Sequence, residues 1–189
     1  MKGPRSLLWA GIIASIYIWV ILLICYHFNP GFVLTRDALS QFGAPSSRYP
    51  FIYNLLGMVA TGVMLMLFSV SLISLSVNRL EVVGSSFLLV ASMFLMLIGI
   101  YHEGTEPHVF VSTYFFYQTD LSIVVFGAGS MLHDRAEGMA SLLIGLVAPA
   151  VALLIKWPSS ATLEIFGIAC IELWAIITVQ RVRRWQDDG

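Results

Sequence analysis

Apolar residues along this chain gather into six runs, at 7–26, 51–75, 82–101, 109–131, 139–155 and 161–179, each closed by a charge, a proline or a cluster of loop residues. A helix needs roughly 20 apolar residues to cross about 30 Å of hydrocarbon, so each run predicts one membrane-spanning helix. The expected fold class is all-α: a polytopic integral membrane protein, a six-transmembrane-helix bundle forming one domain over 1–189. The fifth run is the shortest and carries Pro149, which predicts a kink whose freed carbonyl neighbouring helices re-satisfy. Ser141, Gly145, Ala148 and Ala152 lie on one face of that run, a small-residue stripe that predicts a centrally packed fifth helix.

The longest polar interruption, 27–50, has a pattern of its own. Its segment Leu34-Thr35-Arg36-Asp37-Ala38-Leu39-Ser40-Gln41-Phe42-Gly43 predicts a short interfacial helix, with Thr35 as N-cap, Asp37 in the first turn and Gly43 as a left-handed stop. Leu34, Ala38, Leu39 and Phe42 would form its apolar face. Burying side chains such as Leu39 and Phe42 is worth about 1.5–3 kcal/mol each, so this segment is expected to fold down onto the mouth of the bundle. That would bring Asp37, Ser40 and Gln41 to the third loop or to Asn54, with Asp37 accepting from His108 as the favoured contact.

Composition agrees with the pattern. The chain is 58% hydrophobic and 11% charged, whereas soluble domains are about 25% charged, so lipid is its solvent and membrane lipids are its expected partners. A net charge of -1, with no basic run beyond Arg181, Arg183 and Arg184, argues against a nucleic-acid partner. No sequence feature specifies an oligomeric state. Cys25 and Cys170 fall at different membrane depths and read as structural thiols rather than a disulfide. Lys2 and Arg5 ahead of the first run resemble a signal peptide, but the run is long and no small-x-small site follows, so an uncleaved first helix is expected. Of the ten Lys and Arg residues, seven lie with the termini and the second and fourth loops and three with the first, third and fifth loops. The expectation is a multi-pass cell-membrane protein with both termini cytoplasmic.

Two places carry candidate chemistry. The third loop, His102-Glu103-Gly104-Thr105-Glu106-Pro107-His108, is the densest polar cluster in the chain. With Asp37 and Ser40 from the first loop, Glu103, Glu106 and His108 form a candidate catalytic set at a membrane mouth; Asn54, Gln41 and His102 are candidate ligand contacts. A divalent metal is an alternative use of these side chains, although their spacing matches no zinc motif such as HExxH, and the sequence requires no cofactor. A solvated loop whose acids cap the following helix is the structural alternative. Within the apolar runs stand Asn54, Asp120, Glu164 and Glu172, with no Lys or Arg to pair with them. Asp120 and Glu172 fall at similar depth and form a candidate carboxyl pair or proton relay, or else hydrogen-bond separately to neighbouring hydroxyls. Asn54 is equally suited to fixing the first loop.

The segment Asp37-Ala38-Leu39-Ser40-Gln41-Phe42-Gly43-Ala44 resembles the "LS-x-LG" loop of a prokaryotic membrane family catalogued as domain of unknown function 998. Asn54-Leu55-Leu56-Gly57 and the third loop, with His108 at the family's histidine, extend the similarity, and the six-helix plan agrees over most of the chain. Tyr101-His102 stands where Phe-Pro is usual, so the resemblance implies no role for His102. Membrane hydrolases of the alkaline ceramidase and adiponectin-receptor superfamily carry HxxxH in a late helix, which this chain lacks. The leading expectation is an outward-facing polar pocket that binds or hydrolyses a lipid or small molecule. The alternatives are a proton-coupled transporter using Asp120 and Glu172 and a non-catalytic membrane subunit or assembly factor.

Overall fold

The structure, a computed structural model, describes residues 5–187, with side chains described from 6 to 182. Lys2 and the side chains of Arg5, Arg183 and Arg184, which enter the charge asymmetry, lie outside the described residues. All regular structure among the described residues is helical: α1 (Trp9–Phe28), α2 (Ala60–Leu75), α3 (Arg79–Ile100), α4 (His108–Ser130), α5 (Arg135–Leu154) and α6 (Ser160–Asp187). Among the described residues, six helices are long and apolar enough to span a membrane. The first, third and fifth loops gather at one end of the bundle, the odd-loop end. The second and fourth loops gather at the other, beside the start of α1.

Two of the helices, α3 and α5, begin where side chains satisfy free backbone amides. Asn78 accepts from Glu81 N–H at the start of α3, and Asp134 accepts from Ala136 and Glu137 N–H at the start of α5. These caps carry both helices further toward the loops than the apolar runs reach, because a capped first turn tolerates polar residues. The start of α2 is different. Ile52–Val59 is π-helical and runs into α2 without a break. With hydrogen bonds between residues five apart, Tyr53 and Met58 come to face the same interior side.

The central helix is α3, not α5. Its buried positions, Gly84, Ser85, Leu88, Ala91, Ser92, Leu95 and Ile98, repeat at helical spacing and pack against both α2 and α4. Small residues there let backbones approach closely, the main source of helix association in lipid. Within the expected stripe of α5, Ser141 and Gly145 are buried, Ala148 and Ala152 only partly. Ser141 accepts from Trp174 Nε1 at 3.1 Å and so ties α5 to α6. Leu143, Leu146, Val147, Leu153 and Leu154 face outward, so α5 sits at the edge. Small residues appear on several helices of this chain, and the stripe alone did not tell which helix would be packed most extensively by its neighbours.

The first loop folds down as its apolar residues require. Phe42 is 2% exposed and Leu39 4%. The regular structure there is a single 3-10 turn, Leu39–Gly43, rather than a helix from residue 34. Leu34 is 43% exposed, and the turn begins at Ala38 without a side-chain cap. Gly43 is not a left-handed stop; among the described residues the positive-φ glycine is Gly104, in the third loop. A Cβ on Gly43 would instead lie 2.1 Å from Asn54 Oδ1 and 2.9 Å from the Tyr53 ring. Glycine is needed there for close approach to the π-helical segment, not for a turn.

Candidate functional site

The 3-10 turn lies across the odd-loop end and is held by two carboxylates. Leu39 N–H donates to Glu164 Oε2 of α6 at 2.7 Å, and Ser40 Oγ donates to Glu103 Oε2 of the third loop at 2.7 Å. His108 Nε2 lies 3.0 Å from that same Glu103 oxygen. His108 Nδ1 donates to the Tyr101 carbonyl at 2.8 Å. Both ring nitrogens therefore face acceptors. His108 is held because it opens α4 directly after Pro107, where its ring turns back over the loop.

Under this roof is a partly open cavity of about 100 Å³. Its walls come from α1, the π-helical segment with α2, α3, α4 and α6, and they are mostly apolar: Leu22, Met58, Leu65, Leu95, Phe115 and Ile168 are representative. Ser40, His108 and Glu164 stand at the roof end. Glu172, Thr61, Ser15 and Ser112 are the polar groups further along. Glu164 and Glu172 are eight residues apart on α6, about 12 Å along the axis. Glu172 Oε2 accepts from Trp19 Nε1 at 2.7 Å, while its Oε1 is buried with no partner among the described residues. Thr61 Oγ1 is likewise buried and unpartnered.

The expected site residues thus divide. Ser40, Glu103 and His108 come together, and the first and third loops meet through them. Asp37 does not reach His108. Its carboxylate accepts from Arg36 Nε at 2.8 Å and Val33 N–H at 2.7 Å, and these bonds hold it below the usual aspartate range. Its backbone carbonyl accepts from Ala161 N–H, so Asp37 organises the loop and seats it on α6. Gln41 and Glu106 are exposed. Asn54 Nδ2 donates to the Gly43 carbonyl at 2.9 Å, which fixes the first loop. Asn54 and His102 line a separate shallow groove with Pro45, Pro50 and Gly99. His102 Nδ1 donates to the Glu103 carbonyl. Asp120 is half-buried on α4, is not among the residues lining the cavity and shares no hydrogen bond with Glu172 among the described residues. No group of three or more His, Cys, Asp or Glu among the described residues is placed to hold a metal ion.

Sequence reasoning missed a second polar cluster, at the opposite end. Glu81, buried, accepts from Val77 N–H at 2.8 Å, from Ser130 and from His133 Nε2. Glu137 is buried close by, with Asp134 and Arg181 lining the same small cavity. The signal was present as two similar tetrapeptides, Asn78-Arg79-Leu80-Glu81 and Asp134-Arg135-Ala136-Glu137, each opening a helix. Their nearness in space was not readable, because it depends on α3, α4 and α5 packing together.

The family model "Protein of unknown function (DUF998)" matches residues 12–181, nine-tenths of the chain. The chain belongs to that family. The matched span contains the whole cavity wall except Gly11, together with Glu103 and the 3-10 turn. Comparisons with curated proteins and with solved structures give no match. The chain is a probable multi-pass membrane protein of this family.

Proposed function

We propose that this DUF998 protein binds a lipid chain or a small molecule with an apolar body in the cavity beneath its odd-loop end, with Ser40, Glu103 and His108 as the polar rim. The observation that carries the reading is the cavity: largely apolar walls with a few convergent polar groups at one end are the usual form of a small-molecule site. Binding is favoured over hydrolysis by the order of the rim. In a Ser–His–acid triad the imidazole lies between hydroxyl and carboxylate and removes the serine proton. Here the carboxylate lies between, and both Ser40 and His108 point at one Glu103 oxygen. That order positions the loops and presents polar groups to a head group without making a nucleophile. The proton-coupled transporter ranks second, because Glu172 faces the cavity but Asp120 does not line it.

The test uses the full chain in detergent with dodecanol carrying a photoactivatable group at its chain end. Labelling is expected on peptides of α4 and α6 that face the cavity, and Ile168→Trp, which fills it, should remove most of that label. Labelling confined to outward-facing residues such as Leu153 and Leu154, and unchanged by Ile168→Trp, would sink the reading.

The proposed setting is a cell membrane with both termini cytoplasmic and the odd-loop end outside, since seven of ten Lys and Arg residues lie toward the terminal end. A cysteine at position 103 (E103C) should react with a membrane-impermeant maleimide added to intact cells. Reaction only after the membrane is opened would reverse the orientation.

A further inference from the structure

The charge of the cavity is unbalanced. Glu164 and Glu172 both line it, and among the described residues no Lys or Arg does. The one basic group in its walls, His108, is already committed to Glu103 and to the Tyr101 carbonyl. A carboxylate in apolar surroundings requires a counter-charge, hydrogen-bond donors or a proton. Trp19 supplies one donor to one oxygen of Glu172, and the other oxygen is buried and unpartnered. An independent observation points to the same region. Thr61, 7% exposed, lines the cavity from α2, and its hydroxyl oxygen has no partner among the described residues. Glu172 lies twelve residues past Ser160, about 18 Å along α6 from the odd-loop end, and Thr61 lies two residues beyond the π-helical segment, so both stand well inside the bundle.

We infer that the ligand of this cavity is a lipophilic cation, an alkyl amine or alkyl ammonium, whose positive group pairs with Glu172 and whose hydrocarbon lies along the apolar walls. The inference rests on the cavity being a ligand site and adds the ligand's charge. An ammonium of this kind supplies the missing counter-charge, and an amine with a free N–H also supplies donors to Glu172 Oε1 and Thr61. An anionic amphiphile would place a second negative charge beside Glu164 and Glu172, and a neutral one would leave each carboxyl to its single donor and a proton. Glu164, at the roof end, is the second carboxylate of the same cavity.

The experiment measures displacement of the photoactivatable dodecanol by dodecyltrimethylammonium, dodecylamine, dodecanol and dodecanoate, which share one chain length. Both cations are expected to displace the probe at concentrations at least tenfold below the alcohol and the carboxylate. In Glu172→Gln the preference should shrink below threefold, while dodecanol displaces as before. Thr61→Val, of nearly the same volume, covers the case of a Glu172→Gln protein that does not fold; it should weaken dodecylamine, which has N–H donors, more than dodecyltrimethylammonium. Equal displacement by all four compounds would overturn the charge assignment and leave the cavity as a binding site. A full cation preference in Glu172→Gln would remove Glu172 from the site. Absence of cavity labelling with no displacement by any compound would overturn the binding reading itself.

Discussion

Gly84→Ala is expected to lower the thermal midpoint of the detergent-solubilised protein strongly, with a destabilisation of about 1–3 kcal/mol or more. A Cβ at position 84 would lie 2.4 Å from Phe126 N and 2.8 Å from Phe126 Cα. These are backbone atoms inside α4, so no rotamer change relieves the clash; α3 and α4 must move apart. That contact is the most extensive in the bundle, and helices in lipid associate chiefly through close packing. Separation therefore weakens contacts along the whole interface. Gly31→Ala is the matched control, since a Cβ there meets nothing within 4 Å, and it should change stability by less than about 0.5 kcal/mol. Equal midpoints for the two variants would show that the α3–α4 seam is not the keystone of the fold.

Glu103→Ala is expected to weaken capture of the dodecanol probe by about tenfold, the equivalent of roughly 1.4 kcal/mol. One carboxylate oxygen accepts from both Ser40 and His108. Removing it leaves the His108 side chain, 8% exposed, with a buried donor unsatisfied, at a cost of about 1–3 kcal/mol. The 3-10 turn then keeps its bond to Glu164 but loses its bond to the third loop, and the roof over the cavity loosens. Glu103→Gln retains an acceptor oxygen and should keep most of the binding. An alanine variant that captures the probe as the unaltered protein does would remove the rim from the proposed site.

Both variants depend on groups of different legibility. Ser40 meeting the third loop was readable, because Leu39 and Phe42 could not stay in water and their burial dragged Ser40 along. Which acid Ser40 would meet was not. Asp37 was the favoured partner of His108, yet the neighbouring Arg36 and the Val33 amide captured it, and local bonds of this sort need no tertiary ordering to form. Glu103, five residues from His108, took the contact because the loop turns back through the positive-φ Gly104. The π-helical opening at Ile52–Val59 left no mark in the hydropathy pattern. Widening the turn exchanges one backbone hydrogen-bond register for another and leaves the apolar count unchanged.

The amino-acid pattern alone determined six membrane-length helices, the folding of the first loop onto the bundle and the presence of carboxylates without basic partners in the apolar runs. All three follow from hydrophobicity and the cost of burying charge, which are local properties of composition and spacing. The tertiary structure decided the rest: that α3 and not α5 is central, that Glu164 and Glu172 share one cavity while Asp120 does not line it, and that Glu81 and Glu137 meet at the far end. Those outcomes depend on which face of each helix turns toward which neighbour. In lipid, where every face is apolar, that choice rests on the fit of small residues and the pairing of a few polar groups across helices.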